Sequence, residues 1–291
     1  MKKIFLIPAL LCAFVTPISA MAQDETDEPA AKTDYSFRSA QPLTQIESLY
    51  SAIMGATPKG IQNTLGLELI SSKDSIMRMA LNPTGINVAL VKKDKKGKYY
   101  LEAYTTDGEA TKLMSFDAKH YGIPYAAAFT PDARQLAVAT EKGTYLFETK
   151  KFKPVAELPV FTCKPDLLVF SPNAYFLAAA GNEKVEVMNF EEKTMRRTLN
   201  PGEKIADVVF SKSSEEMAVL TVDGMVEIYD TRTFNVKLMI EDLDNGYACD
   251  FNSDGKYLAV AADGDKVTVI NLLKPEDRII MEVPEATVSD V

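Results

Sequence analysis

Cys249-Asp250-Phe251-Asn252-Ser253-Asp254-Gly255-Lys256-Tyr257-Leu258-Ala259-Val260-Ala261 reads as the end of one β-strand, a tight turn and the start of the next strand. Ser-Asp-Gly makes the turn, because Asp bonds back to nearby backbone and Gly accepts a positive φ. The same unit stands, without a gap, at four earlier places. Met79–Val91 carries Leu81 and Pro83-Thr84-Gly85. Ala127–Ala139 carries Phe129 and Pro131-Asp132-Ala133. Leu168–Ala180 carries Phe170 and Pro172-Asn173-Ala174. Val208–Leu220 carries Phe210 and Lys212-Ser213-Ser214. The anchors Leu81, Phe129, Phe170, Phe210 and Phe251 are spaced by 48, 41, 40 and 41 residues, the period of a four-stranded propeller blade.

Each position in the unit has a physical task. The anchor ends a strand and fills the layer between neighbouring blades. After the turn, an alanine recurs at Ala89, Ala137, Ala178, Ala218 and Ala259; a small side chain in every repeat implies close backbone approach where strands converge on an axis. Third strands are expected at Thr144–Phe147, Val185–Met188, Val226–Tyr229 and Val267–Ile270, with Gly143, Gly181, Gly224 and Gly264 marking the hairpins before them. Fainter fourth strands fall at Val236–Ile240 and Ile279–Val283. The fold class is therefore all-β: a propeller of four-stranded antiparallel blades, with five repeats recognisable.

These segments resemble the WD-repeat, YVTN-type and TolB-type propellers, with Phe251 to Ala259 and Val226-Glu227-Ile228-Tyr229-Asp230 carrying the likeness over about Ile76 to Val283. Departures place the chain among degenerate members. The one histidine, His120, leaves every repeat without the Gly-His pair, and tryptophan is absent. Only Asp230 keeps the aspartate after the third strand, where Glu148, Asn189 and Asn271 stand in the other repeats. The resemblance is specific for fold and poor for function.

The ends read differently. Lys2 and Lys3 precede the apolar run Ile4–Val15, and Ile18-Ser19-Ala20 and Ala20-Met21-Ala22 offer small-x-small cleavage sites, which is the layout of a signal peptide over residues 1–22. The run is too short to span a bilayer, and Leu11 before Cys12 is wrong for a lipidation site. A periplasmic or secreted location is expected. Residues 23–35 read as an acidic, solvated linker. Residues 36–75 read as a short amphipathic helix (Leu43, Ile46, Leu49, Tyr50, Ile53) and a strand at Leu65–Ile70 that packs on or closes the propeller of residues 76–291. That strand and Ile279–Val283 compete for one slot. A five-bladed ring with a spare strand, a sixth divergent or missing blade, and an open array whose sheet edge invites self-association all fit.

Candidate chemistry is sparse. The 291 residues carry 32 Lys and Arg against 41 Asp and Glu, a formal charge of −9, which disfavours nucleic acid as a partner. Asp250 to Gly255 matches the start of an EF-hand loop, but Ala261 stands where the twelfth-position Glu belongs; the turn reading suffices. His120 has no local nucleophile or ligand partner. Lys92, Lys93, Lys95, Lys96 and Lys98 sit in the insertion that stretches the first spacing, as a solvated hairpin tip or a contact for an anionic partner. Cys163 and Cys249 fall at different repeat positions and read as separate thiols. No catalytic, cofactor or metal residue is assigned. The expected function is an exported, non-catalytic scaffold that binds a protein partner in the cell envelope or a ligand. The alternative is an envelope lyase or glycan hydrolase using carboxylates in a central funnel.

Overall fold

The computed structural model describes residues 74–106 and 110–282. The readings made on residues 1–73, and the last residue of the expected strand at Ile279–Val283, lie outside them.

Five four-stranded antiparallel sheets follow one another along the chain, each a simple meander. The first comprises β1 (Ser75–Leu81), β2 (Asn87–Lys93), β3 (Tyr99–Thr105) and β4 (Lys112–Ser115). A four-residue helix α1 (Ala118–Tyr121) leads to the second, β5 (Pro124–Phe129), β6 (Gln135–Thr140), β7 (Thr144–Glu148) and β8 (Pro154–Leu158). The third holds β9 (Leu167–Phe170), β10 (Phe176–Gly181), β11 (Lys184–Asn189) and β12 (Thr194–Leu199). The fourth holds β13 (Ile205–Phe210), β14 (Glu216–Thr221), β15 (Val226–Asp230) and β16 (Val236–Ile240). The fifth holds β17 (Ala248–Phe251), β18 (Tyr257–Ala262), β19 (Lys266–Asn271) and β20 (Arg278–Glu282). The first strands β1, β5, β9, β13 and β17 neighbour one another in turn, so they are innermost and the sheets are the blades of a β-propeller.

Every blade makes its inner turn in the same way. The residue after the anchor is Asn82, Thr130, Ser171, Ser211 or Asn252, and its side chain bonds within the turn: Asn82 Oδ1 accepts from the Thr84 amide at 2.9 Å, and Ser171 Oγ accepts from the Phe176 amide at 2.9 Å. The turn then needs a left-handed residue. Gly85 and Gly255 supply it at φ +74° and +72°, whereas Ala133, Ala174 and Ser214 adopt it at φ 62°, 59° and 63° despite their Cβ.

Four apolar junctions hold the blades together, and in each an anchor of one blade shares the cluster with the recurring alanine of the blade before it. Ala89 joins Phe129, Ala137 joins Phe170, Ala178 joins Phe210 and Ala218 joins Phe251. The second strands of the first four blades place their alanine in the junction with the next blade, where a methyl group leaves room beside the anchor ring. The anchor Leu81 and the alanine Ala259 belong to none of the four clusters. Leu81 is 37% exposed where Phe129 is 6%, so the first anchor does not fill a layer between blades. Val88 and Leu90, on the same face of the first blade as Leu81, are buried but also lie outside the four clusters.

Candidate functional site

The ends of β1, β5 and β9 and the turns after them line an open hollow of about 430 Å³ on the inner side of the first three blades. Leu81, Phe129 and Phe170 form its wall and Pro83, Pro131 and Pro172 its lip. All its lining side chains are apolar. The fourth and fifth blades carry Lys212 and Ser253 at the position of the three prolines, so the apolar lip belongs to one side of the array. The signal was present in the repeats, where proline follows the capping residue in the first three units and not in the last two.

Acids near the axis are each engaged. Arg78 on β1 donates from Nε to the carbonyl oxygen of Asp166 at 2.7 Å, and its Nη2 lies 3.6 Å from the Asp166 carboxylate. This links the first blade to the third. Asp207 on β13 accepts from the Cys249 amide of the next blade at 3.0 Å, and Asp250 on β17 accepts from the Phe251 amide at 2.8 Å. Among the described residues, the two buried glutamates sit on third strands, away from the hollow. Glu186 accepts from the Thr162 amide at 2.6 Å and the Cys163 amide at 3.3 Å, and Glu227 accepts from the Tyr229 hydroxyl, whose own proton is held more firmly by burial and by that carboxylate. These carboxylates tie backbone and blades together; none lines the hollow.

The lysine-rich segment divides in two. Lys95, Lys96 and Lys98 are exposed in the β2–β3 hairpin, as expected of a tip. Lys92 is 3% exposed, which overturns its reading as a solvated residue. It points off β2 onto Glu102 at 2.8 Å and the Tyr104 hydroxyl at 3.0 Å, and Glu102 also binds Lys112. Burial would raise the Glu102 pKa, but Lys112, Lys92 and Tyr104 together outweigh it and hold the carboxyl at about 2. The insertion is shared between a five-residue hairpin, 94–98, and strands β2 and β3 of seven residues each. Alternating Lys92, Glu102 and Tyr104 on paired strands was the sequence signal of this network; without a register it read as a charge run.

The remaining candidates are structural. Asn252 Oδ1 accepts from the Lys256 and Tyr257 amides, each at 3.0 Å, and Asp254 Oδ1 accepts from the Lys256 amide at 3.0 Å. The oxygens of the EF-hand-like stretch thus point into their own turn. Among the described residues no group of three or more potential metal ligands gathers. Asp230 Oδ1 accepts from the Arg232 and Thr233 amides, while Asn189 and Asn271 accept from Glu192 and Leu273, so this position closes the β-turn after the third strand. His120 lies in α1, its ring edge-on to Tyr121, and Tyr121 packs against Phe116 and Phe147. Cys163 and Cys249 are buried free thiols in different junctions. Burial, then Glu186, pushes the Cys163 thiol up to about 12; burial, then Asp207, raises Cys249.

No known family matches the chain as a whole. A stretch of 120 residues, 39% of the chain, is 25% identical to human dynein axonemal intermediate chain 4, of whose length it spans 14%. Among solved structures, the hydrazine synthase of Kuenenia stuttgartiensis superimposes with a TM-score of 0.56 over 76% of this chain and 69% of that one, at 14% identity. The likeness is one of fold. No helix among the described residues is long and apolar enough to cross a membrane.

Proposed function

We propose that this β-propeller is an exported, non-catalytic scaffold whose inner hollow receives an apolar segment of a protein partner in the cell envelope. The observation that carries the reading is the lining of the hollow. An open depression lined by apolar side chains and held on a frame of strands offers a seat to a hydrophobic side chain. It offers no acid, base or nucleophile to a reacting bond. Export rests on the amino-terminal pattern of Lys2 and Lys3, the Ile4–Val15 run and the small residues before Met21 and Gln23. A scaffold role suits a fold whose loops are presented by a rigid frame.

The test pairs processing with capture. In a bacterial host the secreted or periplasmic product should begin at Met21 or Gln23 by amino-terminal sequencing. That mature protein, immobilised, should retain an envelope protein which the Pro83→Glu, Pro172→Glu double variant fails to retain at unchanged thermal stability. Both prolines are exposed, so the charges enter the lip without disturbing a junction. An intact amino terminus in the cytoplasm would refute export, and equal retention by the variant would refute the hollow as the site.

A further inference from the structure

We propose that the hairpin between β2 and β3 docks this propeller, first blade foremost, on the headgroups of an anionic lipid surface. The turn keeps its lysines free of acids. Asp94 Oδ1 accepts from the Lys96 amide at 2.8 Å and the Lys98 amide at 2.9 Å, and Gly97 completes the turn at φ +84°. The carboxylate of the tip is thereby spent on backbone, and Lys95, Lys96 and Lys98 stand exposed. Among the described residues none of the three has an ion-pair partner, in a chain whose formal charge is −9. At the base of the hairpin a fourth ammonium, Lys93 Nζ, lies 5.2 Å from the centre of the Tyr99 ring.

More lysines stand at the same end of the sheets. Tyr99, Ala118 and Tyr121 pack against one junction, so α1 stands on the junction that the base of the hairpin also covers. There Asp117 is likewise spent on backbone, accepting from the Lys119 amide at 3.0 Å. Lys142, from the β6–β7 hairpin, donates to the Lys119 and His120 carbonyls at 2.9 and 3.2 Å. Lys119 and Lys142 are both exposed, and Glu141, exposed beside Lys142, offsets one of these charges. The equivalent hairpins of the third, fourth and fifth blades carry Glu183, Asp223, and Asp263 with Asp265. The positive sector therefore belongs to the first two blades.

Shape and composition select the partner. A convex tip encloses no single anion, and residues 94–98 include no apolar side chain to form the dry centre of a protein interface. Separated point charges without such a centre suit a surface that presents many anions, as phosphate-bearing headgroups do. The hollow lies at the other end of the sheets, about 20 Å away along the seven residues of β2. The contact leaves the hollow open and rests on neither it nor its partner.

The experiment is cosedimentation of the mature chain, residues 23–291, with phosphatidylcholine vesicles that contain or lack phosphatidylglycerol. Binding should require phosphatidylglycerol and fall away at high salt. A lysine at such a surface accounts for about fivefold in partition. The Lys95→Gln, Lys96→Gln, Lys98→Gln variant should therefore lose binding by roughly a hundredfold, with its circular dichroism melt unchanged. A control removes the same charge elsewhere. Lys150→Gln, Lys151→Gln, Lys153→Gln alters exposed residues of the turn after β7, at the opposite end of the sheets, and should bind like wild type. Inorganic phosphate at matched ionic strength should leave the protein on the vesicles; displacement would show a pocket for one free phosphate and overturn the proposal. Soluble polyphosphate binding as tightly as the vesicles would also overturn it, in favour of an anionic polymer. No binding, equal binding to uncharged vesicles, or equal loss in the two variants overturns it as well. The readout uses no protein partner, so failure here leaves the hollow untouched.

Discussion

Truncating two anchors of the same repeat series should have unequal effects. Phe210 is 7% exposed. It stacks on Phe176 with centroids 6.4 Å apart and rings within 5° of parallel, in a cluster with Ala178, Val208 and Met217. Phe210→Ala removes a ring from a close-packed junction that cannot collapse around the void, because strands β10 and β14 on either side are held in their sheets. The loss combines transfer and cavity terms, about 3–4 kcal/mol. At roughly 2–4 °C per kcal/mol for an array of this size, Tm should fall by about 6–16 °C. Leu81→Ala removes a side chain already 37% exposed with solvent to fill the space, so about 1 kcal/mol and about 2–4 °C are expected. The assay is thermal unfolding by circular dichroism with urea titration as a check, at dilutions where sedimentation shows monomer. Equal losses would refute the reasoning, because Leu81 would then be packed in a junction like the other anchors.

Four further outcomes follow from the same geometry. Glu102 has its pKa lowered from the ordinary 4.5 to about 2, so its stabilisation is complete above 4.5 and is lost as pH falls from 4.5 towards 2. Glu102→Gln should flatten that part of the acid-unfolding profile and cost about 3 kcal/mol at pH 7 by stranding the buried Lys92; a profile as steep as wild type would count against the network. The buried thiols Cys163 and Cys249, both raised in pKa, should resist iodoacetamide at pH 8 in the folded protein and react fully in denaturant; rapid native labelling would contradict their placement. Gly255 has open space around an added Cβ and φ +72°, so Gly255→Ala should cost only the left-handed strain, about 1 kcal/mol. Ala174→Gly, at φ 59°, should gain up to about 0.5 kcal/mol, relief of strain being partly offset by added chain entropy. Urea midpoints decide both, and a destabilised Ala174→Gly would argue against the turn geometry.

The strands were legible because a blade is a local object. Each is a meander of about 40 residues, and its turns are written in adjacent residues, so Val236–Ile240 was placed to the residue and the third strands to within one. The first blade was read least well. Its third strand, Tyr99–Thr105, follows a lysine hairpin that masked the alternation, and Lys92 was assigned to solvent because a single strand does not reveal the cross-strand partner that neutralises a buried charge. The recurring alanines were noticed, but their company with the next blade's anchor was not, since that anchor lies on another blade about 40 residues away. The hollow was missed although its prolines are visible, because three turns far apart in the chain define it only once three blades stand around one axis.

By itself, then, the amino-acid order determined the sheet-forming units and their antiparallel course, because those depend on period-two burial and on turn chemistry between near neighbours. Tertiary structure alone decided which faces meet: the pairing of four of the alanines with the next blade's anchor, the ion network beneath the lysine hairpin, and the hollow between the first three blades. Those properties depend on contacts between distant segments, and a repeat that looks the same in sequence is buried or exposed according to whether another blade stands beside it.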